Sequence, residues 1–253
     1  MSTELYYFSG TGNSLAVAQK IAERLNEPAR LIALAQYAAG QGAAISASAV
    51  GLVFPVYYHT APEIVRAAIA AMHFETKPYL FTVVTYHGEP GNSVFAVGRL
   101  LAAGGQTLAA GFTIQMPGNA IVCPPEIQQE RLANSAAKIA AIAAAVNNRE
   151  TGLFEGTDIP DEIVLAEAQK HTLIAPEKFW VNQECSDCGV CRRVCPVHNI
   201  TRRDDGQLQW GRCCVKCLAC LHWCPRKAVQ IGDLTAQMPQ YHHPEIRLQD
   251  MIL

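Results

Sequence analysis

The chain has 253 residues, half of them hydrophobic and 17% charged, with a formal net charge of −2. That composition supports a packed core in one large or two modest domains. No run of about eighteen uncharged apolar residues is present, so no membrane span is expected. The opening Met-Ser-Thr-Glu-Leu-Tyr-Tyr-Phe lacks the basic start of a secretory signal, so the expected location is the cytoplasm.

Charge is unevenly spread. Residues 1–180 carry 11 basic and 15 acidic side chains, residues 181–231 carry 8 and 4, and the last 22 carry 1 and 3. A basic segment can mark nucleic-acid binding. Here it coincides with clustered cysteines, whose anionic metal centres would absorb the surplus, so no nucleic-acid partner is expected.

Residues 4–146 alternate strand-like and helix-like runs, the pattern of a parallel sheet covered by helices. Strand one is expected at 5–8. A helix comes next at 14–25, with Leu15, Ala18, Ala22 and Leu25 at helical spacing. A short second strand is expected at 30–34. The continuous apolar run 50–56 reads as a strand buried on both faces. Pro62 opens a helix to about 72, in keeping with proline in a first turn. The fourth strand is expected at 79–85. A helix at 92–103 ends at Gly104-Gly105. A fifth strand is expected at 107–115 and a long alanine-rich helix at 125–147. The predicted fold of residues 1–148 is a doubly wound α/β sheet of five parallel strands in the order 2-1-3-4-5. Residues 149–178, with Gly152, Gly156, Pro160 and Pro176, read as a linker holding one short helix at 161–171. Residues 179–232 form a small cysteine-rich domain, and 233–253 a polar tail.

Strand one runs into Ser9-Gly10-Thr11-Gly12-Asn13-Ser14 and directly into a helix. Hydroxyls and backbone N–H groups at a helix N-terminus favour an anion. The loop has no Gly-Lys-Ser/Thr, so it is not a nucleoside-triphosphate loop. Leu15 stands where a dinucleotide fingerprint needs a third glycine, and no acidic residue ends strand two. A neutral, hydroxyl-rich loop suits a phosphate monoester. A glycine turn capped by Ser9 or Thr11 alone would account for one hydroxyl, not three.

The cysteine segment holds an internal repeat. Cys185-x-x-Cys188-x-x-Cys191-x-x-x-Cys195-Pro196 recurs 29 residues later as Cys214-x-x-Cys217-x-x-Cys220-x-x-x-Cys224-Pro225. Ile200 matches Val229 beyond the cysteines. Three cysteines spaced by two residues wrap one [4Fe–4S] cube, and in a doubled motif the Cys-Pro cysteine ligates the other cube. The expected ligand sets are therefore Cys185, Cys188, Cys191 and Cys224 for one cluster, and Cys214, Cys217, Cys220 and Cys195 for the other. Zinc sites favour two Cys-x-x-Cys pairs rather than this series. Disulfides would need an oxidising compartment. Cys213 adjoins Cys214 but lacks the spacing to Cys217, so it reads as a non-ligand. Cys123, alone before two prolines, reads as a packed residue.

Phe8-Ser-Gly-Thr-Gly-Asn-Ser14 resembles the FMN phosphate loop of flavodoxins, and residues 180–232 resemble the bacterial two-cluster ferredoxins. The chain as a whole resembles the flavodoxin–ferredoxin fusion family. That resemblance implies an FMN domain preceding a two-cluster α+β domain. It implies that Ser9, Thr11, Gly12, Asn13 and Ser14 hold the FMN phosphate. By the switch-point rule the flavin ring would meet loops after the third and fourth strands. Candidate contacts there are Pro55, Val56, Tyr57, Tyr58, Thr85, Tyr86, His87, Gly88, Gly91 and Asn92, with His59 a weaker one.

The expected function is electron transfer between FMN, two [4Fe–4S] clusters and redox protein partners, with Arg192, Arg193, Arg212 and Lys216 as candidates to raise cluster potentials. A second reading is an FMN-dependent reductase of a small organic substrate, with Tyr57, Tyr86 or His87 as proton donor. A third is a redox-sensing or assembly module. No catalytic residue is assigned.

Overall fold

A computed structural model describes residues 2–37, 42–171 and 174–252. Part of the expected linker (172, 173) and the end of the tail (253) lie outside the described residues. The chain divides into two compact units. The first comprises the chain through Ser9, Asn13–Pro117 and Cys123–Lys170. The second gathers Gly10–Gly12, Gly118–Val122 and the chain from His171 onward.

The first unit is a parallel sheet with helices. Its strands are β1 (Thr3–Tyr7), β2 (Ala29–Ala33), β3 (Ala49–Pro55), β4 (Tyr79–Tyr86), β5 (Leu108–Gln115) and β6 (Leu153–Phe154). They lie in the order β2-β1-β3-β4-β5-β6, and every pairing is parallel. This is the flavodoxin-like order extended by one edge strand. β3 and β4 are apolar and buried nearly throughout, as strands covered on both faces must be. The helices are α1 (Asn13–Ala22), α2 (Leu34–Gln36), α3 (Glu63–Ala71), α4 (Ser93–Ala103), α5 (Pro125–Asn147) and α6 (Asp161–Lys170). α5 sets Ile139, Ile142 and Val146 against Val17 and Ile21 of α1. Burying each such side chain contributes about 1.5–3 kcal/mol.

The sixth strand corrects the expected five. Residues 149–178 have the sequence of a linker because two exposed strand residues carry no period. Yet Leu153 and Phe154 pair with Ala110 and Gly111, flanked by Gly152 N–H to Ala109 O (2.9 Å) and Glu155 N–H to Gly111 O (3.0 Å). The Glu155 carboxylate then accepts from the Thr113 N–H (2.7 Å) and hydroxyl (2.9 Å) and pairs with Lys138. Polar side chains that look like linker chemistry are here the hydrogen-bonding rim of an edge strand.

The second unit repeats itself. β7 (Phe179–Val181), α7 (Val190–Arg193) and β8 (Ile200–Arg202) recur 29 residues on as β9 (Leu208–Trp210), α8 (Ala219–His222) and β10 (Val229–Ile231). Left-handed residues recur at the same offset: Asp187 with Lys216, Gly189 with Leu218, and His198 with Lys227. Such a conformation costs an L-residue about 1–2 kcal/mol. Its retention at matching places in both halves shows one loop shape built twice. The halves are interlocked, because β7 pairs antiparallel with β10 and β8 antiparallel with β9.

Candidate cofactor sites

In the first unit the loop after β1 enters α1 at Asn13 and Ser14, both buried. Ser14 Oγ lies 2.8 Å from Thr85 Oγ1, which joins the start of α1 to the end of β4. With Thr85 as donor, Ser14 keeps its own hydroxyl proton for an anion. The Asn13 amide donates to Pro117 O at 2.8 Å, so it holds the chain after β5. Within the second unit, Gly10–Gly12 is tightly packed. Gly10 O accepts from the Trp223 indole N–H (3.1 Å), and Thr11 O accepts from the His243 N–H (2.8 Å). A Cβ on Gly10 would fall 2.2 Å from Cys217 O, so only glycine fits there. Thr11 and Gly12 are buried, and Ser9 is half-buried.

The two candidate flavin-ring loops of the first unit meet each other. Val56 N–H donates to Thr85 O (2.8 Å), and Asn92 N–H to His59 O (2.9 Å). Tyr57 and Thr60 exchange both backbone hydrogen bonds (3.0 and 3.1 Å) around Tyr58 (φ 51°) and His59 (φ 64°). This is a turn with two left-handed centres, normally filled by Asn or Gly. Strain of this kind persists where surrounding structure over-determines it and concentrates at functional sites. Tyr57 meets Phe8 edge-on at 6.2 Å, and burial pushes the Tyr58 phenol pKa up. Gly91 has φ +56°, and a Cβ there would fall 2.0 Å from His59 O. Gly88 is open around its Cα, and Pro55 and Tyr86 are half-buried.

Two residues of this region are held by partners that the sequence does not reveal. Arg131 of α5 donates to His87 Nδ1 (2.7 Å) and to the carbonyls of His87 and Met116 (both 3.1 Å). Burial first, then the Arg131 charge, hold the His87 pKa down, so its imidazole is neutral with the proton on Nε2. Asn92 is fully buried, and its amide donates to Ile159 O (3.0 Å) and Asp161 Oδ1 (2.9 Å). Nothing in the sequence marks either partner, since Arg131 sits in an alanine-rich helix and Asp161 in a polar stretch.

Three buried oxygens of these loops, Thr60 Oγ1, Asn92 Oδ1 and Ser93 Oγ, have no protein partner among the described residues. Buried polar atoms require one, which a water or the polar edge of a ligand can supply. With the hydroxyls at the start of α1, this donor set fits a flavin phosphate and ring edge. The Asn13 amide is the exception, being committed to Pro117.

In the second unit the eight repeat cysteines fall into two groups of four. Cys185, Cys188, Cys191 and Cys224 line one cavity, together with Leu208 and Val229. Burial pushes the Cys191 thiol up to about 11, and the three other thiols of the group push it further. Burial likewise pushes Cys217 up to about 12, with Cys195 and Cys214 adding to it and the Ala219 N–H opposing. Burial raises Cys214 and Cys220 too, and Cys195 adds to both. Each Cys-Pro cysteine thus stands with the three cysteines of the opposite half. The Asn199 N–H donates to Cys195 Sγ (3.3 Å) and the Ala228 N–H to Cys224 Sγ (3.2 Å), again 29 residues apart. The first group is the outer one, with Cys185 and Cys188 exposed. In the second only Cys214 is partly exposed. Cys213 is exposed and outside both groups, and its N–H donates to Asn199 Oδ1 (3.1 Å). Cys123 is buried in the first unit.

Among the described residues, no three His, Cys, Asp or Glu side chains converge as ligands of a single ion. Four thiolates around a cube each bind a different iron, so they need not converge on one point. Thiols this hard to ionise lose their protons to a bound cation, which couples metal loading to proton release. The donor set fits two such centres. Arg202 opposes the rise of the Cys185 thiol pKa, which burial mainly causes, while Arg192, Arg193 and Arg212 are exposed and Lys216 half-buried.

No family model matches the chain. No curated protein matches it either. Among solved structures it is similar to a flavodoxin from the domain Archaea, at 16% identity and TM-score 0.34, over 57% of this chain and 99% of that one. It is similar to an azoreductase from Bacillus anthracis str. Sterne, at 14% identity and TM-score 0.39, over 58% and 100%. It is also similar to a short-chain flavodoxin associated with a non-canonical PDU bacterial microcompartment, at 17% identity and TM-score 0.36, over 56% and 99%. The fold assignment rests on strand order and register rather than on these likenesses. No described helix is long and apolar enough to cross a membrane.

Proposed function

We propose that the protein is an electron-transfer iron–sulfur flavoprotein, passing electrons between FMN, two [4Fe–4S] clusters and redox protein partners. The observation that carries the reading is the crossing of the repeat. Each group of four thiols takes three from one half and the Cys-Pro cysteine from the other. The strands cross in the same way. A doubled cluster motif requires that crossing, and two independent zinc knuckles do not.

Bound FMN supplies exchange of one or two electrons, and each cluster supplies one-electron exchange. The chain's own part is to bind, orient and exclude water. Ser9, Thr11 and Ser14, with the backbone at the start of α1, would hold the phosphate. Tyr57, Tyr58 and the turn at Gly88–Gly91 would flank the ring. The neutral His87 imidazole, held by Arg131, would keep a proton on Nε2 as a hydrogen-bond donor. The exposed Cys185 and Cys188 make the outer group the face at which a redox protein would exchange electrons.

Anaerobic purification, then assay of iron, acid-labile sulfide and released flavin, tests this. The expected content is about eight irons, eight sulfides and one FMN per chain. Iron and sulfide without flavin, even after FMN is added, would remove the flavoprotein half of the reading. Metal without sulfide would remove the cluster half.

A further inference from the structure

The internal repeat is broken at one position beside the chemistry. β9 repeats β7, so Trp210 stands where the first half has Val181, which carries no hydrogen-bond donor. Trp210 is 6% exposed and stacks on Phe179, with ring centroids 5.2 Å apart. Its Nε1 is buried and meets the strict geometry of a hydrogen bond with no atom among the described residues. The group it favours is the Cys220 thiol, whose upward shift by burial the Trp210 side chain opposes. Cys191 occupies the equivalent place in the outer group. It feels burial, its three fellow thiols and the Arg192 N–H, but no side-chain donor.

We propose that Trp210 tunes one cluster only, its indole N–H donating to the Cys220 thiolate of the inner group. The proposal rests on the two-cluster reading above. Reduction adds one electron to a cluster and increases the negative charge on its ligand sulfurs. A donor aimed at one of those sulfurs gains strength as that charge grows, which favours the reduced state. No proton is transferred. The inner group, enclosed by protein and lacking the solvent contact of Cys185 and Cys188, would otherwise be harder to reduce. The indole offsets that cost and narrows the gap between the two centres.

The test is Trp210→Phe in the full chain, prepared anaerobically and titrated with dithionite while the reduced clusters are monitored by electron paramagnetic resonance. The ring and its stacking on Phe179 are kept, and the N–H is lost. We expect one cluster to become about tenfold harder to reduce, equivalent to 59 mV for one electron, with the other unmoved. The shifted signal must be the one that Cys195→Ser also alters. Independently, ¹⁵N-tryptophan labelling should give a nitrogen coupling to that reduced cluster, absent in Trp210→Phe. Unchanged midpoints in a fully loaded variant, equal shifts of both clusters, or no such coupling in the wild type would each overturn the proposal. Should Trp210→Phe lose its cluster, the wild-type coupling decides. Failure of the two-cluster reading itself would be seen earlier, as a wild-type protein without acid-labile sulfide.

Discussion

Asp161→Asn should loosen the segment after β6 and remove one source of acid sensitivity. The Asp161 carboxylate accepts from Arg99 Nη2 (2.9 Å) and Nε (3.2 Å) and from the buried Asn92 amide (2.9 Å). Hydrogen bonds to a charged group contribute about 1.5–3 kcal/mol when well enclosed. Arg99 and Asp161 side chains are 40% and 25% exposed, and Arg99 keeps a second partner in Asp158. Exposed pairs are worth about 0.2–1 kcal/mol. The Asn92 bond lies on the buried side, so the substitution should cost about 1–2 kcal/mol in all. Hydrogen bonding from Arg99 holds the Asp161 carboxyl below the usual carboxylate range. As pH drops, the unfolded chain therefore takes up this proton before the folded one. The stabilisation is complete above about pH 5 and is lost as pH falls through the folded value. Urea unfolding of the first unit, tracked by far-ultraviolet circular dichroism at neutral and acid pH, measures both effects. All three tryptophans, Trp180, Trp210 and Trp223, belong to the second unit, so their fluorescence provides a separate record of it. A double-mutant cycle with Arg99→Met isolates the pair. Strict additivity, or a variant as stable as the wild type at pH 7, would refute the anchoring role.

Cys195→Ser should disturb the cluster of Cys214, Cys217 and Cys220, and Cys224→Ser that of Cys185, Cys188 and Cys191. Each should lose about half of the iron while the other cluster keeps its resonance signal, whereas uncrossed ligation would give the opposite pairing of signals. Gly91→Ala should destabilise the first unit by about 3 kcal/mol or more, because the added Cβ meets His59 O in a left-handed conformation. A denaturation midpoint within error of the wild type would contradict this. Arg131→Met should raise the His87 pKa part of the way to the ordinary imidazole value, with burial still holding it down, as read from nuclear magnetic resonance titration of the ring. A histidine depressed in the folded state loses stability as pH falls through its unfolded value, and the variant should soften that loss.

Features set by local chain geometry were determined by the sequence alone. Continuous apolar runs marked β3 and β4 as strands covered on both faces, and Pro62 and Gly104 marked helix ends near their observed places. The 29-residue offset of the cysteines foreshadowed the matching strands, helices and left-handed turns, because equal spacing imposes equal loop shapes. Tertiary structure decided whatever depends on partners distant in the chain. β6 is a strand only because β5 offers it an edge. The Asn13 and Asn92 amides, candidate cofactor contacts by sequence, are committed to Pro117 and to Ile159 and Asp161, partners 104, 67 and 69 residues away. His87 owes its proton position to Arg131, 44 residues on. Trp210 stands beside Cys220 because β9 folds against the opposite half of the repeat. A polar side chain's partner is set by which backbone comes within about 3 Å of it, and that distance exists only once the sheet and the doubled repeat have closed.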